Sequence, residues 1–113
     1  MDRKTKGNQG EELIKRQYES EGGEILETNY RYKRAEIDLI VLEREELLIF
    51  VEVKTRSRKD FGEPETFVST AQQSRIKEAA EDYIFAINWK KDIRFDIACV
   101  DMGGKSEIFK DAF

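Results

Sequence analysis

The stretch 35–56, AEIDLIVLEREELLIFVEVKTR, decides how this chain folds. Two apolar runs, 36–42 and 47–54, flank the polar EREE, which is the pattern of strand, turn and strand. Strand side chains alternate faces, so Ile37, Leu39 and Val41 share one face with Ile49, Val51 and Val53. The other face carries Glu36, Asp38, Ile40 and Leu42 on one strand, and Leu48, Phe50, Glu52 and Lys54 on the next. The antiparallel register that keeps both faces matched pairs Leu42 with Leu48, Ile40 with Phe50, Asp38 with Glu52, and Glu36 with Lys54. A slip of one residue would set Asp38 against Val51 and mix the faces. In the matched register two carboxylates stand opposite each other, with Cβ atoms about 4.5–5.5 Å apart. The apolar reverse face marks this pair of strands as central. Two acids so placed share a proton, find a cation, or hold a metal ion.

Two readings of those acids stay open on spacing alone. The plain one is a structural ion cluster of Asp38, Glu52, Lys54 and Glu36, with Arg31 or Arg94 able to help from neighbouring strands. The chemical one is a site for Mg²⁺ or Mn²⁺ on Asp38 and Glu52, with Lys54 beside it. Hard cations take one or two carboxylates plus waters and phosphate oxygens. A bound ion lowers the pKa of its water and clamps a scissile phosphate, while an adjacent lysine orients the nucleophile or offsets developing charge.

Working outward, residues 8–21 place Glu11, Ile14 and Tyr18 on one stripe and Glu12, Lys15, Arg16 and Glu19 on another, an amphipathic helix ended by Gly22–Gly23. Residues 24–32 read as a strand. The stretch 55–66 holds the only proline and reads as a loop. Ser69 to Gln72 fits a capping box, and Ile76, Ala79, Ala80, Tyr83, Ile84 and Ile87 follow at helical spacing, giving a helix over 70–87. Residues 93–102 form a fourth strand, Gly103–Gly104 a turn, and KSEIFKDAF a fifth strand. The order α-β-β-β-α-β-β makes an α/β domain, residues 1–113 with a core of about 7–110, whose long helix crosses between two strands of a mixed sheet flanked by helices.

Composition narrows the chemistry. The 113 residues suit one domain. They contain no histidine, which removes Ser–His–Asp and Cys–His nucleophiles and histidine metal sites. The single cysteine, Cys99, removes zinc ribbons and internal disulfides; in its apolar run it reads as a buried, reduced thiol of a cytoplasmic protein. No stretch approaches the roughly 20 apolar residues of a membrane helix, and the charged N-terminus precedes no apolar signal segment, so no membrane partner is expected. Net charge is −4, yet seven of the 20 basic residues, Arg31, Lys33, Arg34, Lys54, Arg56, Arg58 and Lys59, flank the hairpin in two short runs. That is a local basic patch on an acidic protein.

The residues then carry a family resemblance. Asp38, thirteen intervening residues and Glu52-Val53-Lys54 resemble the D…E-x-K arrangement of restriction-endonuclease-like, PD-(D/E)xK, nucleases. The wider string is more specific: Gly10-Glu11, Gly23, Ile25-Leu26, Asn29-x-Arg31, Glu36-Ile37-Asp38-Leu39-Ile40, Phe50 to Arg56, Gly62, Val68, Arg75, Ala79-Ala80, Tyr83 and Arg94-Phe95-Asp96. Over roughly 7–100 these resemble the bacterial UPF0102 (YraN) family, similar in fold to archaeal Holliday-junction resolvases. The resemblance implies a restriction-endonuclease-like core and a metal-dependent endonuclease acting on DNA, with branched or junction DNA among the expected substrates. It also implies that Asp38, Glu52 and the Val53 carbonyl hold the metal, with Lys54 and Glu11 completing the catalytic set and Glu36 supporting. Arg31, Lys33, Arg34, Arg56, Arg58, Lys59, Gln72 and Arg75 would contact nucleic acid. Tyr30 and Tyr32 could stack on bases, strand core or rim being the plainer role. Resolvases act as dimers, so a homodimer is a further expectation by analogy.

This chain departs from the family pattern in having Ala35 for a glycine, Ile14 for a small residue and Gln72 for a lysine. Gln72 lies on the stripe of Ile76, Ala79 and Tyr83 and so faces the sheet; the plainer role is a capping-box partner for Ser69. Its missing charge keeps two alternatives in view, a catalytically weak nucleic-acid-binding module and a protein-interaction domain.

Overall fold

A computed structural model describes residues 3–56, 68–101 and 103–113. Helix α1 (Arg3–Ser20) leads into β1 (Gly23–Tyr32), β2 (Ala35–Glu43) and β3 (Leu47–Arg56); α2 (Thr70–Ile87) then precedes β4 (Asp92–Asp101) and β5 (Ser106–Phe109). The expected order is therefore the observed one. The five strands lie in sequence order, β1-β2-β3-β4-β5. All neighbours are antiparallel except β3 and β4, which run parallel across the α2 crossover. The fifth strand is shorter than expected: after Phe109 the chain turns, with Asp111 at φ 54, and Ala112 N–H donates to the Phe95 carbonyl at 2.7 Å.

Successive β3 residues face opposite helices. Ile49 and Val51 pack with Leu39, Val41, Ala98 and Val100 against Ile14 and Tyr18 of α1. Leu48 and Phe50 pack with Ile40, Phe95, Ile97 and Cys99 against Ile76, Ala79, Ala80 and Tyr83 of α2. The helices thus cover the two faces, and the central strands are apolar on both. Cys99 is buried and reduced. Helix α2 starts at Ser69, whose hydroxyl accepts from the Gln72 N–H at 3.1 Å. It ends at Asn88 in the left-handed conformation, with Trp89 N–H returning to the Ile84 carbonyl. No helix among the described residues is long and apolar enough to cross a membrane.

The close approach of α1 depends on two glycines. A Cβ on Gly23 would stand 2.8 Å from Val41 Cγ1 and 2.9 Å from the Tyr18 carbonyl oxygen. One on Gly10 would stand 3.3 Å from Thr55 Oγ1, so Gly10 seats the middle of α1 against the far end of β3. Glu11 follows immediately.

The strand register holds where it is hydrophobic and breaks where it is charged. Leu42 pairs with Leu48 and Ile40 with Phe50, as expected, but the β2–β3 ladder stops at Leu39–Val51. Asp38–Glu52 and Glu36–Lys54 are not ladder pairs. Beyond that point β2 stays with β1 as far as Ala35–Tyr32, and β3 stays with β4 as far as Arg56–Asp101. The sheet forks. Ile37, which alternation puts with Leu39 and Val41, belongs instead to the α2-side cluster with Ala35 and Ile40. Freed from β3, this end of β2 follows β1.

Candidate active site

The fork is where the acids gather. Asp38 is 9% exposed and Glu52 8% exposed, so both carboxylates are nearly removed from water. Asp38 Oδ2 accepts from the Val53 N–H at 2.7 Å. A side chain thereby occupies the place where the next ladder bond would form, which is why the ladder ends there. A strand residue directs its N–H and C=O to the same edge, so the Val53 carbonyl faces the fork as well. Glu52 Oε2 accepts from Gln72 Nε2 at 2.8 Å and lies 3.3 Å from Lys54 Nζ. Gln72 therefore does two jobs: its backbone caps α2, while its side chain reaches the sheet rather than closing a capping box on Ser69.

Electrostatics follow from this crowding. Burial first, then the facing Glu52, pushes the Asp38 carboxyl up to about 8, against the lowering effect of the Val53 N–H. Burial also raises Glu52; Lys54 opposes that, and Glu36 adds to it. Glu11 is raised by burial and then by Glu36 and Glu52, which brings it into the same field from the α1 side. Among the described residues, the cation paired with this site is Lys54, which reaches Glu52. Arg31 instead pairs with Glu36 at 3.2 Å, and Arg94 belongs to Asp96. Neither neutralises the Asp38–Glu52 pair.

A cleft of about 330 Å³ opens over the fork, lined by Arg34, Ala35, Glu36, Asp38, Glu52, Ser69, Gln72, Arg75 and Ile76. Of the expected nucleic-acid contacts, Arg34, Gln72 and Arg75 face this cleft together with the acids. Lys33 lies at the rim, 3.7 Å from Glu78. The Arg56 side chain, Arg58 and Lys59 lie outside the described residues, as does most of the expected 55–66 loop. Tyr30 is engaged in structure: its hydroxyl donates to Asp82 at 2.6 Å and its ring meets Tyr83 edge-on.

No three His, Cys, Asp or Glu side chains among the described residues stand close enough to hold one ion together. The donor set available is two carboxylates and a carbonyl-bearing strand edge. That suits Mg²⁺ or Mn²⁺, which keep several waters and bind through one or two carboxylates with substrate oxygens.

A third buried acid, assigned no role from the sequence, lies on β4. Asp96 is 0% exposed. It takes Arg94 Nε at 2.8 Å and Nη2 at 2.9 Å, the Tyr18 hydroxyl at 2.7 Å and the Asp111 N–H at 3.0 Å. The available signal was Arg94-x-Asp96, two residues on one strand face, but its partners Tyr18 and Asp111 come from distant parts of the chain.

The comparisons with known proteins agree with the resemblance. The profile of the uncharacterised protein family UPF0102 matches residues 10–100. A UPF0102 protein of Flavobacterium psychrophilum is 41% identical over 110 residues, covering 95% of this chain and 92% of the relative. One from Christiangramia forsetii is 40% identical over 110 residues with the same coverage, and one from Dictyoglomus turgidum is 41% identical over 109 residues, covering 96% and 92%. The matched span takes in α1 from Gly10, the fork, α2 and β4, and on that evidence the chain belongs to the UPF0102 family.

Proposed function

We propose that the fork is the active site of a metal-dependent nuclease hydrolysing phosphodiester bonds in DNA. The observation that carries this reading is the buried Asp38–Glu52 pair, two acids pressed together at the open end of a strand pair with Lys54 as their adjoining cation. Such a pair is costly for folding alone, because like charges at low dielectric raise each other's proton affinity. A divalent ion relieves that cost.

Asp38, Glu52 and the Val53 carbonyl are the groups that would hold Mg²⁺ or Mn²⁺, which when bound supplies a Lewis acid and an activated water. The chain's own residues do the rest. The Val53 N–H fixes one oxygen of Asp38. Gln72 and Lys54 fix Oε2 of Glu52. Lys54, half-buried beside Glu52, sets a positive charge where a phosphate acquires negative charge on attack. Arg34 and Arg75 on the cleft wall attract flanking phosphates. Glu11 borders the site and strengthens its demand for a cation.

One observation favours a second reading, a binding module without efficient hydrolysis. Gln72 brings a neutral amide to Glu52 where the family pattern has lysine, so the cleft has one cation fewer. Incubation with Mg²⁺ and with Mn²⁺ on duplex, single-stranded and four-way-junction DNA separates the readings, with Asp38→Ala and Lys54→Ala run beside the wild type. Cleavage by wild type alone is the expected result. Salt-sensitive binding with no cleavage under either metal would replace hydrolysis with binding, and neither binding nor cleavage would sink both.

A further inference from the structure

Beside the acid cleft lies a second hollow, of about 270 Å³, walled by Tyr32, Lys33, Arg34, Ala35, Arg75 and Glu78. The two hollows share Arg34, Ala35 and Arg75, so one groove runs from the acids to Tyr32. Their walls differ in kind: the first is mainly polar, the second mainly carbon. A nucleotide has the same division, a charged phosphate joined to a flat, largely apolar base. Building on the reading of the fork as a phosphodiester site, we propose that the Tyr32 hollow receives an unpaired nucleobase of the strand whose phosphate lies at Asp38 and Glu52.

Three features carry the assignment. The hollow sits just below the small end of ligand pockets, roughly 300–1,000 Å³, which suits one ring system and excludes a stack of base pairs. Its wall includes Tyr32, Arg34 and Arg75, residue types on which an unstacked base lies flat. What now covers the ring is easily moved: Lys33 Nζ stands 5.3 Å from the Tyr32 ring centroid and 3.7 Å from Glu78, and both ends of that ion pair are exposed. Exposed pairs of this length add little stability, so an arriving base displaces the lysine toward solvent, where it can meet a phosphate. Tyr30, tied to Asp82 and Tyr83, offers no such platform.

A base paired and stacked inside a duplex cannot present its face to Tyr32 without being turned out, which costs a few kcal/mol. The substrate class is therefore DNA with an unpaired nucleotide next to the cleavage point, a single strand or a single-strand–duplex boundary, in preference to continuous duplex.

The test uses the full chain with Ca²⁺ in place of Mg²⁺, an ion that takes the same oxygen ligands, so that binding is read apart from Mg²⁺- or Mn²⁺-dependent cleavage. The probes are single-stranded oligonucleotides carrying 2-aminopurine and the matched duplex. Wild type and Tyr32→Phe are expected to bind the single strand and quench the 2-aminopurine. Tyr32→Ala is expected to lose the quench and to bind the single strand about 5- to 100-fold more weakly, the range a lost stacking contact gives, with its duplex affinity unchanged. Arg34→Ala, at an exposed turn position, is expected to weaken binding to both and to flatten the salt dependence. Equal affinity and equal quenching in Tyr32→Ala, no quench in wild type, or a wild-type preference for matched duplex would each overturn the proposal. Metal-dependent cleavage that Tyr32→Ala performs without change would overturn it while leaving the fork's hydrolytic reading standing. Tyr32-dependent binding without cleavage would do the reverse, and no binding to any oligonucleotide would remove both.

Discussion

Asp96 and the Asp38–Glu52 pair are both buried acids on the central strands of one small sheet, and the domain treats them in opposite ways. Asp96 is closed on all sides: a guanidinium grips it with two nitrogens, a tyrosine hydroxyl and a backbone N–H take its remaining lone pairs, and none of it meets water. It fastens α1, β4 and the C-terminal turn to one another. Asp38 and Glu52 have each other, one lysine, one glutamine and one backbone N–H, with a cleft opening over them. A finished ion cluster stabilises a fold; we propose that the unfinished one at the cleft is kept for a ligand.

The largest way to break this comparison is at Asp96. Asp96→Ala leaves Arg94 and the Tyr18 hydroxyl without their partner, and urea unfolding is expected to show a loss of about 3–5 kcal/mol, the usual consequence of removing one side of a buried pair. The corresponding change at the fork should have the opposite sign for stability. Asp38→Asn keeps an oxygen for the Val53 N–H and removes one of two opposed charges, so the metal-free protein at pH 8 is expected to become more stable. The same variant is expected to lose metal-dependent cleavage by about 10²-fold or more, the scale for losing a group that stabilises transition-state charge. A variant less stable than wild type at pH 8 would place Asp38 with Asp96 as a structural acid.

The pH dependence sharpens the contrast. The folded state holds the Asp38 proton more tightly than the ordinary value of 3.8, up to about 8, so between those values the folded form binds more protons than the unfolded one. Stability contributed by this group is present at low pH and declines as pH rises through that window, the reverse of an acid held by a cation. Metal-free wild type should therefore unfold at lower urea at pH 8 than at pH 5, with the difference reduced in Asp38→Asn. The smallest effect is expected at Gln72. Gln72→Ala removes a 2.8 Å hydrogen bond to Glu52 and the helix cap's backbone bond remains, so a loss of about 0.5–1.5 kcal/mol is expected in the same assay. Gln72→Lys, by adding a cation, should instead lessen the pH slope.

How much of this was legible in the sequence follows the physics of range. The hairpin register at Leu42–Leu48 and Ile40–Phe50, the helix over 70–87 and its Ser69 cap are local patterns, and the chain carries them openly. The Asp38–Glu52 proximity was legible because alternation puts both on one face. The fork was not, because it depends on a carboxylate outcompeting a ladder bond for the Val53 N–H, and periodicity says nothing of that contest. Arg94 was misassigned as a neighbour of the fork for a similar reason. Parallel pairing sets it beside Ile49, at the other end of β3, a register fixed only by the crossover. The partners of Asp96, Tyr18 and Asp111, lie 78 and 15 residues away in sequence, beyond the reach of any short pattern.

We propose that a divalent cation completes the fork, whereas Asp96 is complete without one. The most direct measurement is the thermal unfolding midpoint of the wild type at pH 8 during titration with Mn²⁺, beside Asp38→Asn and Glu52→Gln. A ligand that binds only the folded state raises the midpoint with concentration. The wild type is predicted to show that rise, and both variants are predicted to lose it. A midpoint unmoved by Mn²⁺ in the wild type, or one that rises equally in all three proteins, would contradict the claim and return the fork to the company of Asp96.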